Sequence, residues 1–226
     1  MMRNYSSALL LIALLFGLNL DAQTKRTKYY EFGAGIGTLN MSNEIANSSR
    51  VNAVFAEIDA QISLFAKYHV NDWFGLGGEI SFGSLNAADA NHDNFNRGFS
   101  VNTSLVTGNL FTEVHLIRFG KYHLEQKYSI FLKGGIGVAG WNPELQIDGL
   151  VPENIEIESD AYIGMNTFVG LGVKYRVSYN GIITAELRYS TVGGDTMDGI
   201  LETAPNVVTD NDKYWGVMFS YSYAIL

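Results

Sequence analysis

The sequence predicts an all-β fold, an eight-stranded antiparallel transmembrane barrel of the outer-membrane kind with short periplasmic turns and long extracellular loops. Three observations predict it. Apolar and polar residues alternate with period two along eight stretches, the connections between those stretches alternate long and short, and one strand face gathers most of the strand glycines.

The 226 residues include 24 Gly, three Pro and no Cys, with 13% aromatics. Such levels of glycine and aromatics suit strands and tight packing. Without cysteine there is neither a disulfide framework nor a thiolate metal site. A net charge of −8 and the lack of any Lys and Arg cluster argue against nucleic acid as a partner.

Residues 1–22 carry Arg3, an apolar run from Ala8 to Leu18, and then Leu20, Asp21 and Ala22. This reads as a secretory signal peptide cut before Gln23, because the run is short of the ~20 residues a spanning helix needs. Cleavage removes one Arg and one Asp, which leaves the charge at −8 on a single barrel domain of residues 23–226. No further apolar run is of spanning length, so the chain does not read as a helical membrane protein.

The first strand alternates Tyr30, Phe32, Ala34 and Ile36 against Glu31, Gly33, Gly35 and Gly37. After a polar loop from Asn40 to Val54, Glu57 to Tyr68 gives the longest unbroken alternation, and a turn at Asn71 and Asp72 leads to a third strand from Phe74 to Gly83. Asn86 to Ser100 reads as a second polar loop. The fourth strand, Asn109 to Leu116, is noisier, and a turn from Gly120 to Lys127 joins it to a fifth from Ile130 to Ala139. Trp141 to Asn166 reads as a long acidic loop, solvated by its charge.

Phe168 to Ser178 and Ile183 to Ser190 then form a hairpin. A two-residue Asn-Gly turn would mix the two faces, so a three-residue loop of Tyr179, Asn180 and Gly181 is expected. In it Gly181 is left-handed, Val173 pairs with Leu187, and Lys174 pairs with Glu186. Val192 to Asp212 is another acidic loop, and Trp215 to Ile225 closes the chain as strand eight. The long connections all fall at one end, as an even barrel requires.

Which face is wet decides the reading. A face open to water has no steric need for glycine, whereas the bore of an eight-stranded barrel is only just wide enough for side chains. The glycine face therefore points inward and the apolar face meets lipid; the alternative is a soluble secreted barrel or sandwich. Aromatics near the ends of the apolar face fit interfacial girdles: Tyr30, Tyr68, Phe74, Tyr175, Tyr221 and Tyr223 at one rim, Phe82, Tyr189 and Trp215 at the other.

The same phase turns Glu57, Asp59, Lys67, Glu79, Glu113, His115, Lys133, Lys174, Arg176, Glu186 and Arg188 into the bore. Unpaired charge is costly there, so a network of ion pairs filling the lumen is expected, with an ion path as the rival reading. His115 with Glu113 is the one strand pair that could serve acyl-transfer chemistry, and no serine can be set beside it from sequence. His69, His92 and His123 read as turn or loop residues without metal-ligand spacing. Asp195 to Gly199 lacks the regular oxygen spacing of a calcium loop. No cofactor, no metal and no enzymatic activity are expected.

Several motifs carry a family resemblance. They are Arg97-Gly98-Phe99-Ser100 followed by Phe111-Thr112-Glu113, and Phe131 to Val138 followed by Trp141-Asn142-Pro143. The hairpin of Phe168 to Arg176 with Ala185 to Tyr189, and Asn211-Asp212 before Tyr214-Trp215, complete the set. In this order they resemble the PorG-like outer-membrane barrels of the type IX secretion system. The resemblance implies a barrel that holds periplasmic ring lipoproteins of the secretion machine to the outer membrane. The contact would lie on the turns at His69 to Trp73, Gly120 to Lys127 and Tyr179 to Gly181, with Lys25, Arg26 and Lys28. A barrel that binds surface ligands through the acidic loops is the alternative.

Overall fold

The computed structural model describes residues 28–42, 56–89, 98–147, 155–157, 160–194, 196–197, 200–202 and 211–226. The expected signal peptide, with Lys25 and Arg26, lies outside them. The strands are β1 (Tyr29–Ser42), β2 (Asp59–His69), β3 (Phe74–Ala88), β4 (Phe99–His115), β5 (Tyr128–Ile147), β6 (Ile155–Ile157), β7 (Tyr162–Arg176), β8 (Gly181–Val192), β9 (Ile200–Glu202) and β10 (Lys213–Ile225).

Eight of them close an antiparallel barrel in the order β1-β10-β8-β7-β5-β4-β3-β2, with β1 also paired to β2. Closure leaves no strand edge unpaired, which is the condition for crossing lipid with strands. The long connections, residues 43–58, 89–98, 148–161 and 193–212, share one end. The short turns, 70–73, 116–127 and 177–180, lie at the other, with Tyr29 and Ile225. Strands β6 and β9 pair within two of the long connections, an element that alternation had not revealed.

The faces are oriented as the glycine argument requires. Val173, Leu187 and Phe219 are 47%, 52% and 56% exposed, whereas Lys174 and Glu186 are 0% and 5%. Tyr30, Phe74, Phe82, Tyr175, Tyr189, Tyr221 and Tyr223 are exposed on the outer wall. Tyr68 and Trp215 point the same way but are partly covered.

Three expectations are corrected. Trp141 to Asn166 is largely strand, and the fourth strand begins at Phe99 rather than Asn109, because β3 and β4 pair as far as Ala88↔Ser100, and β4 and β5 as far as Phe99↔Ile147, so that both ends of the Asn86 to Ser100 stretch are strand. The alternation continues there with its sense reversed. Leu85, Ala87, Phe99, Val101, Leu105 and Trp141 turn inward, and Asn102, Ser104, Asn142 and Glu144 face out. Above the lipid the outer wall meets water, so the barrel reverts to a conventional apolar interior.

The hairpin register is also two residues from the expected one: Val173 pairs with Ala185 and Lys174 with Thr184. The loop is Ser178 to Asn180, closed by the N–H groups of Val177 and Ser178 donating to the Gly181 carbonyl, and by the Gly181 N–H donating to Ser178 Oγ. A shift of two preserves side-chain phase, so Lys174 and Glu186 still share the inner face. Nor is Gly181 left-handed, since among the described glycines only Gly98 (φ 74°) is. Glycine is needed at 181 for closeness, because a Cβ would meet Ser178 Oγ and Tyr221 Oη at 2.7 Å.

The reversed segment forms an apolar stopper of Leu39, Met41, Leu85, Phe99, Val101, Leu105, Trp141, Val192, Met197 and Tyr214 in the long-connection end of the bore. Leu105→Ala should therefore cost about 2–5 kcal/mol. The neighbouring outward Ser104→Ala should stay within about 0.5 kcal/mol. Urea unfolding in lipid vesicles, followed by tryptophan fluorescence, measures both.

Candidate functional site

The bore below the stopper is built in layers. Nearest the short turns, Glu31 of β1, Lys67 of β2, Glu113 of β4 and Lys174 of β7 form a ring of alternating charge. Lys67 Nζ lies 3.2 Å from Glu31 Oε1 and 3.0 Å from Glu113 Oε2. Lys174 Nζ lies 3.0 Å from Glu31 Oε2 and 2.5 Å from Glu113 Oε1. Ser222 donates to Glu31 Oε1 at 2.8 Å and His69 Nε2 contacts Oε2 at 2.8 Å, so this carboxylate has four partners.

A second ring repeats the plan with Glu79 of β3, Lys133 of β5, and Glu186 and Arg188 of β8. Lys133 Nζ is 3.1 Å from both Glu79 Oε2 and Glu186 Oε2. Arg188 donates from Nε to Glu186 Oε1 at 2.9 Å and grips both oxygens of Glu79 with its two terminal nitrogens. Two carboxylates against two cations leave each ring neutral. Glu31 and Lys67 are direct cross-strand partners and Glu186 and Arg188 share β8, and the other ring pairs join strands that are not neighbours in the sheet, bracing the cylinder across its bore.

Four phenylalanines pack around the cations, and four glycines make room for them. A Cβ on Gly33, Gly77, Gly135 or Gly172 would come within 2.3–2.5 Å of the ring of Phe65, Phe111, Phe168 or Phe131 respectively. Each pair is a direct cross-strand partner. Lys67 lies 4.5 Å from the Phe65 centroid, Lys133 4.1 Å from Phe111, and Arg188 4.4 Å from Phe168. The ring faces shield cations already held by carboxylates.

Beyond the second ring a belt of neutral hydrogen bonds crosses the bore. It runs from Gln61 to Ser81, Thr107, Asn109 and Asn166, and ends at the Tyr214 hydroxyl, with distances of 2.7–3.2 Å. A gap of about 10 Å³ beside Gln61, Arg188, Ser190 and Tyr214 is about the size of one water.

The expected lumen residues divide by place. Lys67, Glu79, Glu113, Lys133, Lys174, Glu186 and Arg188 make the rings, and His115 Nε2 lies 3.0 Å from Glu113 Oε1. Glu57 and Asp59 sit apart at the long-connection end, where Glu57 accepts the Ala88 N–H at 2.9 Å and Asp59 accepts the backbone and side-chain N–H groups of Asn86.

Arg176 is corrected, because it caps the bore and has no ion pair among the described residues. Its terminal nitrogens donate to the carbonyls of Tyr179 and Gly120, each at 3.2 Å, and its guanidinium covers Phe119. Phe119, with Tyr29, Ile182 and Ala224, closes the short-turn end.

Glu31 and His69 were absent from the expected set, although both were legible by phase. Glu31 heads the glycine face of β1, and His69 follows Lys67 by two. His69 is the buried last residue of β2 and not part of a turn. Ser129, which sequence could not place, lies 3.1 Å from His115 Nδ1. The resulting Ser129, His115 and Glu113 order resembles an acyl-transfer triad, but Ser129 is 0% exposed and its hydroxyl donates to the Ile117 carbonyl at 2.7 Å. A nucleophile needs room for substrate and a free lone pair aimed at it, which this buried hydroxyl lacks. Among the described residues no group of three or more His, Asp or Glu is placed to hold a metal. Of the Asp195 to Gly199 run, Asp195, Asp198 and Gly199 lie outside the described residues, while Met197 is buried in the stopper.

Removing one member of a ring strands its partners. Glu31→Gln should destabilise the barrel by about 3–5 kcal/mol, whereas Asp59→Asn, at a partly hydrated end, should cost about 1 kcal/mol. The temperature at which the folded band is lost in a heat-modifiable gel ranks the two.

No curated protein matches the chain. Among solved structures it is similar to Ail, the attachment invasion locus protein of Yersinia pestis, crystallised with the heparin analogue sucrose octasulfate, at 11% identity over 88% of this chain and 99% of that one (TM-score 0.49). It is also similar to Neisserial surface protein A, at 12% identity over 87% and 96% (TM-score 0.48), and to a major outer membrane protein of Thermus thermophilus, at 10% over 87% and 99% (TM-score 0.47). Residues 7–223 match the outer membrane protein beta-barrel domain, and with a closed eight-stranded barrel that turns its apolar face outward and its charges inward, the chain belongs to that family.

Proposed function

We propose that this barrel works without catalysis or conduction, as a membrane-fixed attachment point in the outer membrane of a Gram-negative bacterium. The observation that carries the reading is the filled bore. Two charge rings, four phenylalanines, a polar belt and an apolar stopper occupy it from end to end, so the surfaces left for function are the two rims.

The short-turn rim is the better candidate, with both termini in the periplasm. It presents Trp73, Tyr122 and Tyr179 as exposed aromatics, and the Arg118 guanidinium lies 5.2 Å from the Trp73 ring. Aromatic and arginine side chains are the usual anchors of protein interfaces. Together with the PorG-like motifs, this supports a role in holding periplasmic lipoprotein rings of the type IX secretion machinery.

A second reading places function at the opposite rim, as a small structural or surface-ligand-binding barrel. It is favoured by the ladder of β4 and β5, which runs on to Phe99↔Ile147, and by the β6 and β9 pair in the long connections.

Crosslinking and pull-down from outer membranes separates the two. The expected result is that periplasmic lipoproteins co-purify with the barrel and are lost on Trp73→Ala with Tyr122→Ala, while removal of residues 148–161 leaves them bound. Loss of secretion on removing residues 148–161, with the barrel still assembled, would favour the second reading. In planar bilayers the purified barrel should show conductance no higher than bare lipid.

A further inference from the structure

The charges that the bore does not absorb are sorted by end. Lys67, Lys133, Lys174 and Arg188 are taken up by the two neutral rings, and Arg176 is held by backbone carbonyls. Among the described residues four cations remain without a counter-ion, Lys28, Arg118, Lys121 and Lys127, and all four lie at the short-turn end. The side-chain acids of that rim do not answer them, since Asp72 is paired with His123 at 3.2 Å and Glu125 stands exposed. At the opposite end the described charges are acidic, Lys213 excepted.

The height of these cations is that of the lipid headgroups. Lys28 stands two residues before Tyr30, and Lys127 immediately precedes Tyr128, both tyrosines being more than half exposed on the outer wall. At about 3.3 Å per residue the two lysines leave the chain within about 7 Å of the girdle, and the headgroup layer beyond the hydrocarbon is about 5–7 Å deep on each side. The Arg118 guanidinium lies 5.2 Å from the ring of Trp73, the neighbour of the girdle residue Phe74, and is held at the same level. Lys121 follows on the same connection.

Around the cylinder they form an arc. Lys28 precedes β1, Arg118 follows β4 and lies over the turn that opens β3, and Lys127 leads into β5, so the cations trace the wall from β1 to β5. The turn between β7 and β8, Ser178 to Asn180, carries none, and the mouth is closed by the Phe119 cluster. Cations that follow the wall and leave the mouth meet the lipid leaflet first. Lys and Arg beside an aromatic girdle lay their stems along the apolar wall and set their charge among phosphates. A zwitterionic headgroup brings its own ammonium to that phosphate, whereas an anionic one does not.

We propose that Lys28, Arg118, Lys121 and Lys127 form a binding arc for anionic phospholipid headgroups in the leaflet at the short-turn rim. The lipid phosphates supply the counter-charge that the chain withholds and fix the depth at which this rim sits in the membrane. The inference stands whether or not the rim also holds a lipoprotein.

The purified barrel is placed in phosphatidylcholine vesicles with a trace of spin-labelled phosphatidylglycerol or spin-labelled phosphatidylcholine, the label on the acyl chain in both. Electron paramagnetic resonance separates lipid held at the protein wall from bulk lipid and gives the ratio of the two association constants. With a net charge of −8 the chain as a whole repels anions, so a preference for phosphatidylglycerol reads the local arc. The expected preference is about three- to fivefold at low salt, falling toward parity as salt approaches about 1 M. It falls in the combined variant Lys28→Gln, Arg118→Gln, Lys121→Gln and Lys127→Gln, and is unchanged in Lys213→Gln at the other end. The salt response of the parent decides the matter if the combined variant fails to insert. Equal association of the two lipids overturns the proposal and leaves the arc to the acidic face of a protein partner. A preference that survives undiminished in the inserted combined variant, or that Lys213→Gln removes, overturns it as well.

Discussion

Lipid on the outside of a narrow cylinder leaves charge nowhere to go but inward, and the rest of this structure follows from that constraint. The bore cannot hold enough water to screen ions, so each one must meet a counter-ion at contact distance. Two carboxylates bridged by two cations form the smallest closed arrangement in which every ion has two opposite neighbours, and the chain builds it twice. The bulk of Lys, Arg and Phe in one cross-section then requires glycine on the facing strands. The Gly33, Gly77, Gly135 and Gly172 positions are the space taken by phenylalanine rings. Charge pairing, aromatic shielding and glycine content are thus one packing solution.

The outer wall changes solvent along its length, and the interior changes with it. Between the aromatic girdles the wall is apolar and the bore polar. Past Phe82 and Trp141 the wall carries Asn102, Ser104, Asn142 and Glu144, and the bore fills with leucine, valine and aromatic side chains. The polar belt from Gln61 to Tyr214 lies where the two regimes meet, and its neutral amides and hydroxyls join an ionic layer to an apolar one without an abrupt change of polarity. Each long strand therefore holds two opposite amphipathic codes in series.

That seriality explains what sequence could and could not give. The phase of every barrel strand was legible, because period two fixes which residues share a face, and the assignment of Lys174 and Glu186 to the bore survived a register error of two. The upper parts of β3, β4 and β5 were left out of the strands or read as loop because their outward residues are polar, and a reader tracking one apolar face sees the pattern stop where it inverts. The contact partners were not legible. Glu31 meets Lys174 across 143 positions of chain, and Ser129 meets His115 around a connection whose fold alternation does not encode. Arg176 was assigned to an ion pair by phase alone, yet it lies nearer the mouth than Lys174 on the same strand, and there its guanidinium meets backbone carbonyls.

A bore filled by mutually neutralising groups also constrains how the barrel can respond to its surroundings. The rings have no spare ligand, so moving one ion would expose three others, and the cylinder resists small perturbations until a whole ring fails. Compliance is left to the ends, where neutral and backbone hydrogen bonds in place of ion rings hold the closure: the Met197 N–H donates to the Asp212 carboxylate at 2.7 Å at one mouth, and the Phe119 N–H to the Asp72 carbonyl at 3.1 Å at the other. A rigid middle with adjustable ends suits a part that must hold a fixed position in the membrane while its rims engage something else. The ion pairs secure that position, and the rims are where sequence change can alter the surface proposed for attachment without disturbing the fold.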